Sequence, residues 1–372
     1  MRIDIIAGAR PNFMKIAPII RQIEKRKKEG GPLSYRLVHT GQHYDYNMSG
    51  SFFEQLGIPK PDVNLEVGSG TQAEQTASIM TRYESLLMKQ GADLCLVVGD
   101  VTSTMACAIV AKKMMIPVAH VEAGIRSGDI SMPEEVNRIV TDSLTDFFFT
   151  TSKYANENLR LSGVSEDRIH FVGNTMIDTL LAHRSEFRKP RVWDQFGLQE
   201  KRYLVLTMHR PSNVDEEETL RRWMEQITGK INGMPIVFPA HPRTAQVLQR
   251  AGIEPEGLQI VDPLGYLEFN FLVERSLAVI TDSGGITEEA TVMGVPCMTL
   301  RDSTERPETV EVGTNELIGT DPEAIGPALE RLFSGEWKEG EIPEKWDGKT
   351  AERIVKVIEL KAQSSKLKGE SS

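Results

Sequence analysis

Residues 94–111 read LCLVVGDVTSTMACAIVA. Five apolar residues run on without alternation, a Gly-Asp turn interrupts them, and Thr102, Ser103 and Thr104 open a helical pattern. An apolar run that does not alternate suits a strand buried on both faces. Such strands belong to parallel sheets covered by helices. The same rhythm recurs in RIDIIAG, YRLVHTG, PVAHVEAG, DFFFTTS and RIHFVGN, and then in YLVLTMHR, PIVFPAHP, LQIVDP, LAVITDSGG and VPCMTLRD. It breaks near 174–202, where the helical NTMIDTLLAHRSEF meets the charged RKPRVWDQFGLQEKR. The reading is α/β: two Rossmann-like, doubly wound parallel-sheet domains with an interdomain cleft. The expected boundaries are 1–173 and 174–349, with a closing amphipathic helix from residue 350.

A chain of 372 residues is long for one domain, and a hydrophobic content of 40% can supply two cores. No apolar run approaches the roughly 20 residues needed to span a bilayer. The opening MRIDIIAGARPNF lacks the apolar core of a signal peptide, so a cytoplasmic location away from membranes is expected. A formal charge of −10 argues against a nucleic-acid partner but leaves room for a local anion site. Cys95, Cys107 and Cys297 sit in apolar surroundings without CxxC spacing, which reads as buried free thiols. The seven histidines form no HExxH or Cys/His cluster, so no metal is expected.

In doubly wound sheets, ligands sit beyond the carboxyl ends of the strands. Arg10, Asp100, Glu122, His209, His241 and Ser283 all fall there. GARPNFMKIAPII (8–20) brings Arg10 and Lys15 to a helix start, where the dipole favours anions; a solvated helix start is the plainer reading. Asp100 reads either as a helix cap or as a site carboxylate. HVEAGIRSGDISMPEEVNR (120–138) collects Glu122, Asp129, Glu134 and Glu135 around Arg126 and Arg138. The helix dipole alone accounts for acidic residues after Pro133. A glycine-containing loop could also fold Glu134 back toward Glu122 and Asp100, where carboxylates of separated pKa divide acid and base roles.

ITDSGGITEEATVMGVP (280–296) is the clearest phosphate signal. Ser283, Gly284 and Gly285 let backbone N–H groups approach a pyrophosphate at a helix start, and Glu289 lies a turn further on, within reach of ribose hydroxyls. MHRPSNVD and AHPRT place His209, Arg210, His241 and Arg243 on the same edge, and Arg301 and Arg306 follow the next strand.

Taken in order, GARPNFMKIAPII, GQH, VVGDVTSTMACA, HVEAGIRSGD, PEEVNR, MHRPSNVD, HPRT, DSGGITEEA and RDSTERPE resemble the non-hydrolysing UDP-N-acetylglucosamine 2-epimerases over residues 3–360. The resemblance implies a GT-B-like architecture with residues 350–372 packing back on the first domain, a homodimer, and no cofactor. It implies interconversion of UDP-GlcNAc and UDP-ManNAc for surface polysaccharides, by anti-elimination of UDP through 2-acetamidoglucal. It maps the catalytic carboxylates onto Asp100, Glu122 and Glu134, and a histidine near the diphosphate onto His209. Arg10, Ser283, Gly284, Gly285, Glu289 and Arg306 match nucleotide-binding positions, Phe269 lies near the uracil, and Lys15 lies near the sugar. Arg210 and His241 belong to the same substrate-binding set. Gln42 and His43 match an allosteric substrate site, but Asp45 and VGSGTQAEQ depart from its pattern. Pro211-Ser212 replaces a common Arg-Glu, and the loop before PEE is short.

Other readings compete. A GT-B glycosyltransferase shares the fold and UDP site but needs no base on each face of C2. A hydrolysing epimerase releases free ManNAc and commonly carries an attached kinase segment. A nucleotide-sugar sensor would leave the acidic cluster structural. An NAD-dependent oxidoreductase is disfavoured by the missing GxGxxG fingerprint.

Overall fold

The computed structural model describes residues 1–41, 56–253 and 255–369. The chain divides into two compact units, Met1–Ala182 with Glu344–Ser372, and His183–Pro343. In the first, β1 (Arg2–Ala7), β2 (Ser34–His39), β3 (Val63–Asn64), β4 (Leu94–Val98), β5 (Val118–Val121), β6 (Phe147–Thr150) and β7 (Ile169–Phe171) form a parallel sheet ordered 3-2-1-4-5-6-7. In the second, β8 (Leu204–Thr207), β9 (Ile236–Pro239), β10 (Leu258–Val261), β11 (Ala278–Thr281), β12 (Cys297–Thr299) and β13 (Asn315–Leu317) are ordered 10-9-8-11-12-13. Both orders reverse once. Chain leaving β1 and β4 goes to opposite sides of the first sheet, and chain leaving β8 and β11 does the same in the second. These are the switch points where doubly wound sheets take ligands.

The interior strands are the apolar runs of the sequence: every residue of β4, β5 and β11 is buried. β3 and β13 were not legible. They are edge strands of two and three residues, Val-Asn and Asn-Glu-Leu, and carry no apolar run. Helices on both faces of each sheet close the cores. Trp223, Ile227 and Leu329 cover one side of the second sheet, and Val192, Leu272 and Val295 the other. The three cysteines are buried free thiols. Among the described residues no helix is long and apolar enough to cross a membrane, and no group of three His, Cys, Asp or Glu side chains could hold a metal ion.

The division falls at 182/183 rather than 173/174. The helix Thr175–His183 packs on the first unit, where Thr179 donates to the Met14 carbonyl at 2.6 Å. The same helix anchors the returning segment. Asp178 accepts from the backbone N–H groups of Thr350 and Ala351 at 3.0 and 2.7 Å, capping the terminal helix Thr350–Gly369. Trp346 donates to the Thr151 carbonyl at 3.1 Å, and the Arg26 guanidinium reaches Glu359. The boundary before the return therefore lies at 343/344, six residues ahead of the helix itself.

Candidate active site

In the first unit, β4 and β5 pair with Val98 opposite Val121. Asp100 and Glu122 therefore leave neighbouring strand ends, about 5 Å apart along the hydrogen-bonding direction. Each carboxylate has its own cation. Lys15, from the helix that follows β1, meets Glu122 with Nζ to Oε2 at 2.7 Å, and the two side chains are only 14% and 3% exposed. Gly99 leaves room beside that contact, since a Cβ there would stand 3.2 Å from Lys15 Nζ. Asp100 instead receives Arg138 Nη1 at 2.7 Å, and its backbone carbonyl accepts from Asn137 at 2.8 Å. Glu122 has φ +69°. A non-glycine residue in the left-handed region is strained, and such strain persists where surrounding structure holds a side chain for use.

Among the described residues Glu134 makes no ion pair with Lys15 or Arg138, the cations that hold Glu122 and Asp100. It is exposed in the first turn of the helix Pro133–Leu144, whereas Glu135 turns inward. Glu135 accepts from Arg138 Nε at 2.9 Å and from the backbone N–H groups of Ser127 and Gly128. Burial pushes its carboxyl up, but these hydrogen bonds and the Arg138 charge prevail and hold it low. The helix is inverted relative to an ordinary amphipathic one: Glu135, Asn137, Arg138, Thr141 and Asp142 are its buried residues, and Val136 and Ile139 face out.

Asp142 is the organiser that sequence reasoning missed. It meets His120 Nδ1 at 2.7 Å and Arg126 Nη1 at 2.7 Å, and accepts from the Gly124 N–H at 3.1 Å. His120 Nε2 lies 2.8 Å from the Gly99 carbonyl. One buried carboxylate thus ties the turn bearing Asp100 to the loop bearing Glu122. Burial pushes Asp142 up, and His120 and Arg126 outweigh it, leaving an ionised anchor. A signal was available: Glu135, Arg138 and Asp142 recur at helical spacing on one face.

In the second unit, Thr207 of β8 pairs with Thr281 of β11, which pairs with Thr299 of β12. Two residues beyond, His209, Ser283 and Arg301 stand side by side. Ser283 precedes the helix Gly284–Met293 and makes no side-chain cap to it, so the first N–H groups of that helix are served by no hydroxyl of Ser283. Asp282, fully buried, accepts from the N–H groups of His209 and Arg210 and from Asn213, and lies 2.7 Å from His209 Nδ1. Arg306 pairs with Glu288 at 2.5 Å, and Arg301 with Glu305. His241 is exposed and caps the helix Pro242–Arg250, its Nδ1 accepting from the Arg243 N–H at 3.3 Å. Phe269 packs half-buried on the core of this unit. In the first unit Arg10 opens the helix Arg10–Lys28, and Gln42 and His43 lie outside the described residues.

The profile of the UDP-N-acetylglucosamine 2-epimerases matches residues 25–359. The chain belongs to that family. It is 40% identical to the UDP-N-acetylglucosamine 2-epimerase of Methanocaldococcus jannaschii over 96% of this chain and 99% of that one. The crystal structure of that relative, in complex with UDP-GlcNAc and UDP, superposes with a TM-score of 0.85 at the same identity and coverage. The chain is also 42% identical to the UDP-2,3-diacetamido-2,3-dideoxy-D-glucuronate 2-epimerase of Pseudomonas aeruginosa, over 86% of this chain and 88% of the relative. The two parallel-sheet units are those of the GT-B-like 2-epimerases.

In this 2-epimerase family member Glu289 is buried, and the Tyr266 hydroxyl donates to it at 2.8 Å. Burial pushes the carboxyl up to about 7, against the downward pull of that hydrogen bond. The folded protein therefore holds this proton from the ordinary carboxyl value of 4.5 up to about 7. Over that window the unfolded chain binds fewer protons, so stability falls as pH rises. Glu289→Gln cannot ionise and is expected to remove that fall. Urea unfolding of both proteins at pH 5 and pH 8 checks it, and an unchanged pH dependence in the variant would assign the fall to other groups.

Proposed function

We propose that the chain interconverts UDP-GlcNAc and UDP-ManNAc by eliminating UDP and adding it back. A base takes the C2 proton, its electron pair forms the C1–C2 double bond, and the C1–O bond breaks with its pair passing to the β-phosphate oxygen. The intermediate is 2-acetamidoglucal beside UDP. A proton then arrives at C2 from the other face as the phosphate oxygen rejoins C1. The exchange is redox-neutral and calls for no cofactor. Asp100, Glu122 and Glu134 are assigned to the protons at C2, with Lys15 near the sugar. Arg10, Arg210, His241, Phe269, Ser283, Gly284, Gly285, Glu289 and Arg306 are assigned to the nucleotide, and His209 to the leaving diphosphate. A homodimer acting in the cytoplasm on precursors of surface polysaccharide completes the reading.

The observation that carries it is the pair of carboxylates on adjacent strand ends, each held by a separate cation: Glu122 by Lys15, and Asp100 by Arg138. A binding protein gains nothing from burying a strained glutamate there, and a glycosyltransferase needs no proton-handling group on each face of one carbon. The Pseudomonas relative favours a second substrate, the diacetamido uronate, which offers the same C2 acetamido chemistry on UDP. Proton NMR in D2O with each UDP-sugar in turn decides. The expected result is the C2 epimer, with deuterium at C2 in both sugars. Free N-acetylmannosamine and UDP would assign a hydrolysing enzyme. An unchanged spectrum with both sugars, despite binding, would overturn the catalytic reading in favour of a sensor.

A further inference from the structure

We propose that Asp282 is a positioning residue that holds His209 with Nε2 aimed at the leaving diphosphate, so that the two act as a buried-carboxylate and histidine dyad on UDP. The inference rests on the epimerase reading for its place in the reaction and on geometry for its existence. Asp282 directly follows β11, and His209 follows β8, its partner across the switch point of the second sheet. The carboxylate is fully buried, while the His209 side chain is 59% exposed. Their contact runs from Nδ1 to Oδ1 at 2.7 Å.

An ionised carboxylate only accepts, so Nδ1 carries the proton and donates it. Asp282 is held ionised: burial pushes it up, but His209 and the N–H groups of His209 and Arg210 prevail. Nε2 lies across the ring from Nδ1 and therefore points away from Asp282, on the edge that also bears Ser283 and the glycine turn. The backbone N–H groups of His209 and Arg210 converge on the same carboxylate at 3.0 and 2.9 Å, which fixes the loop that carries the ring as well as the ring itself. When Nε2 is also protonated, the ring is an imidazolium whose charge the carboxylate matches. Nε2–H then donates to the β-phosphate oxygen as that oxygen takes the C1–O pair, and keeps its proton for the return step. No net proton is lost or gained at the dyad.

Two measurements test this. The first is two-bond ¹H–¹⁵N NMR of histidine-labelled enzyme, with His209 assigned by its loss in His209→Gln. Wild type is expected to carry the proton on Nδ1, and added UDP is expected to move the Nε2 shift. A ring protonated on Nε2 alone, or an Nε2 shift indifferent to bound UDP, overturns the dyad. Because UDP alone is the probe, this readout stands apart from turnover: a shifted Nε2 in a protein that epimerises nothing sinks the epimerase reading and keeps the dyad.

The second is a double-mutant cycle. Asp282→Asn and His209→Gln are each expected to lower kcat about 10²- to 10³-fold, and the double variant no further than the worse single one. Independent, multiplying losses would make Asp282 a structural residue only. Circular dichroism and thermal unfolding of each variant identify any that has failed to fold, in which case the wild-type NMR decides.

Discussion

Glu122→Gln is expected to lower turnover about 10³-fold while leaving UDP affinity unchanged, the middle of the range for losing a positioned proton-transfer group. The substitution keeps the shape of the side chain and keeps an oxygen for Lys15, so the 2.7 Å contact can survive as a neutral-acceptor hydrogen bond. The ability to take a proton is lost. The surroundings argue that this ability is what the position is for. Glu122 is 3% exposed, sits at φ +69° and is backed by a bare glycine. A glutamate kept only for stability would gain by relaxing to an ordinary backbone conformation. Steady-state epimerisation together with UDP calorimetry checks the prediction. Turnover within tenfold of wild type would move the proton at C2 to another group, with Asp100 next in line. Unaltered turnover per bound substrate with weakened UDP binding would make Glu122 a binding residue.

What the sequence could reveal follows from which interactions are local. Strand interiors were legible because they are apolar runs, and the switch points followed from the strand-turn-helix order. The same order places Asp100, Glu122, His209 and Ser283 at those ends, and Lys15 in the helix after β1. Their partners were not legible, because they arrive from other elements. Arg138 comes 38 positions along the chain to reach Asp100, and Asp282 comes 73 positions along it, from the end of the neighbouring strand, to reach His209. Asp282 lies inside the TDSGG stretch, yet nothing in that stretch says that its carboxylate turns back toward β8.

Glu134 and Glu135 mark a different limit. Adjacent helical residues point about 100° apart, so a shift of one residue decides which carboxylate is buried. Pattern alone does not say which face turns inward here, because the helix Pro133–Leu144 buries its polar face and leaves Val136 and Ile139 outside. An inward polar face of this kind is costly unless every group is paired. Asp100, Ser127, Gly128, His120 and Arg126 supply partners for Glu135, Arg138 and Asp142. What the helix holds in return is the pair of turns bearing Asp100 and Glu122.

Gly124→Ala is expected to damage both the stability of the first unit and its turnover. Gly124 lies two residues after Glu122 at φ +78°, and its N–H donates to Asp142 while its carbonyl accepts from Asn158 at 2.9 Å. A Cβ would collide with the backbone oxygen of Ala155 and stand 2.8 Å from Leu159 Cγ. The left-handed conformation alone costs an alanine roughly 1–2 kcal/mol. Overpacking against a backbone atom, which no rotamer change relieves, adds about 1–3 kcal/mol. A combined loss of about 3 kcal/mol lowers Tm by about 10 °C in a unit of this size. The loop should also move away from the helix Lys153–Leu161, taking Glu122 from Lys15, so turnover falls with stability. Gly128→Ala separates the two causes. Gly128 has φ +75°, but nothing lies within 4 Å of where its Cβ would stand, so only the conformational cost applies. Calorimetric unfolding and kcat of both variants check the argument. Equal losses would show that the packing of the 122–126 loop against its neighbouring helix is loose, and that the loop holds Glu122 through Asp142 alone.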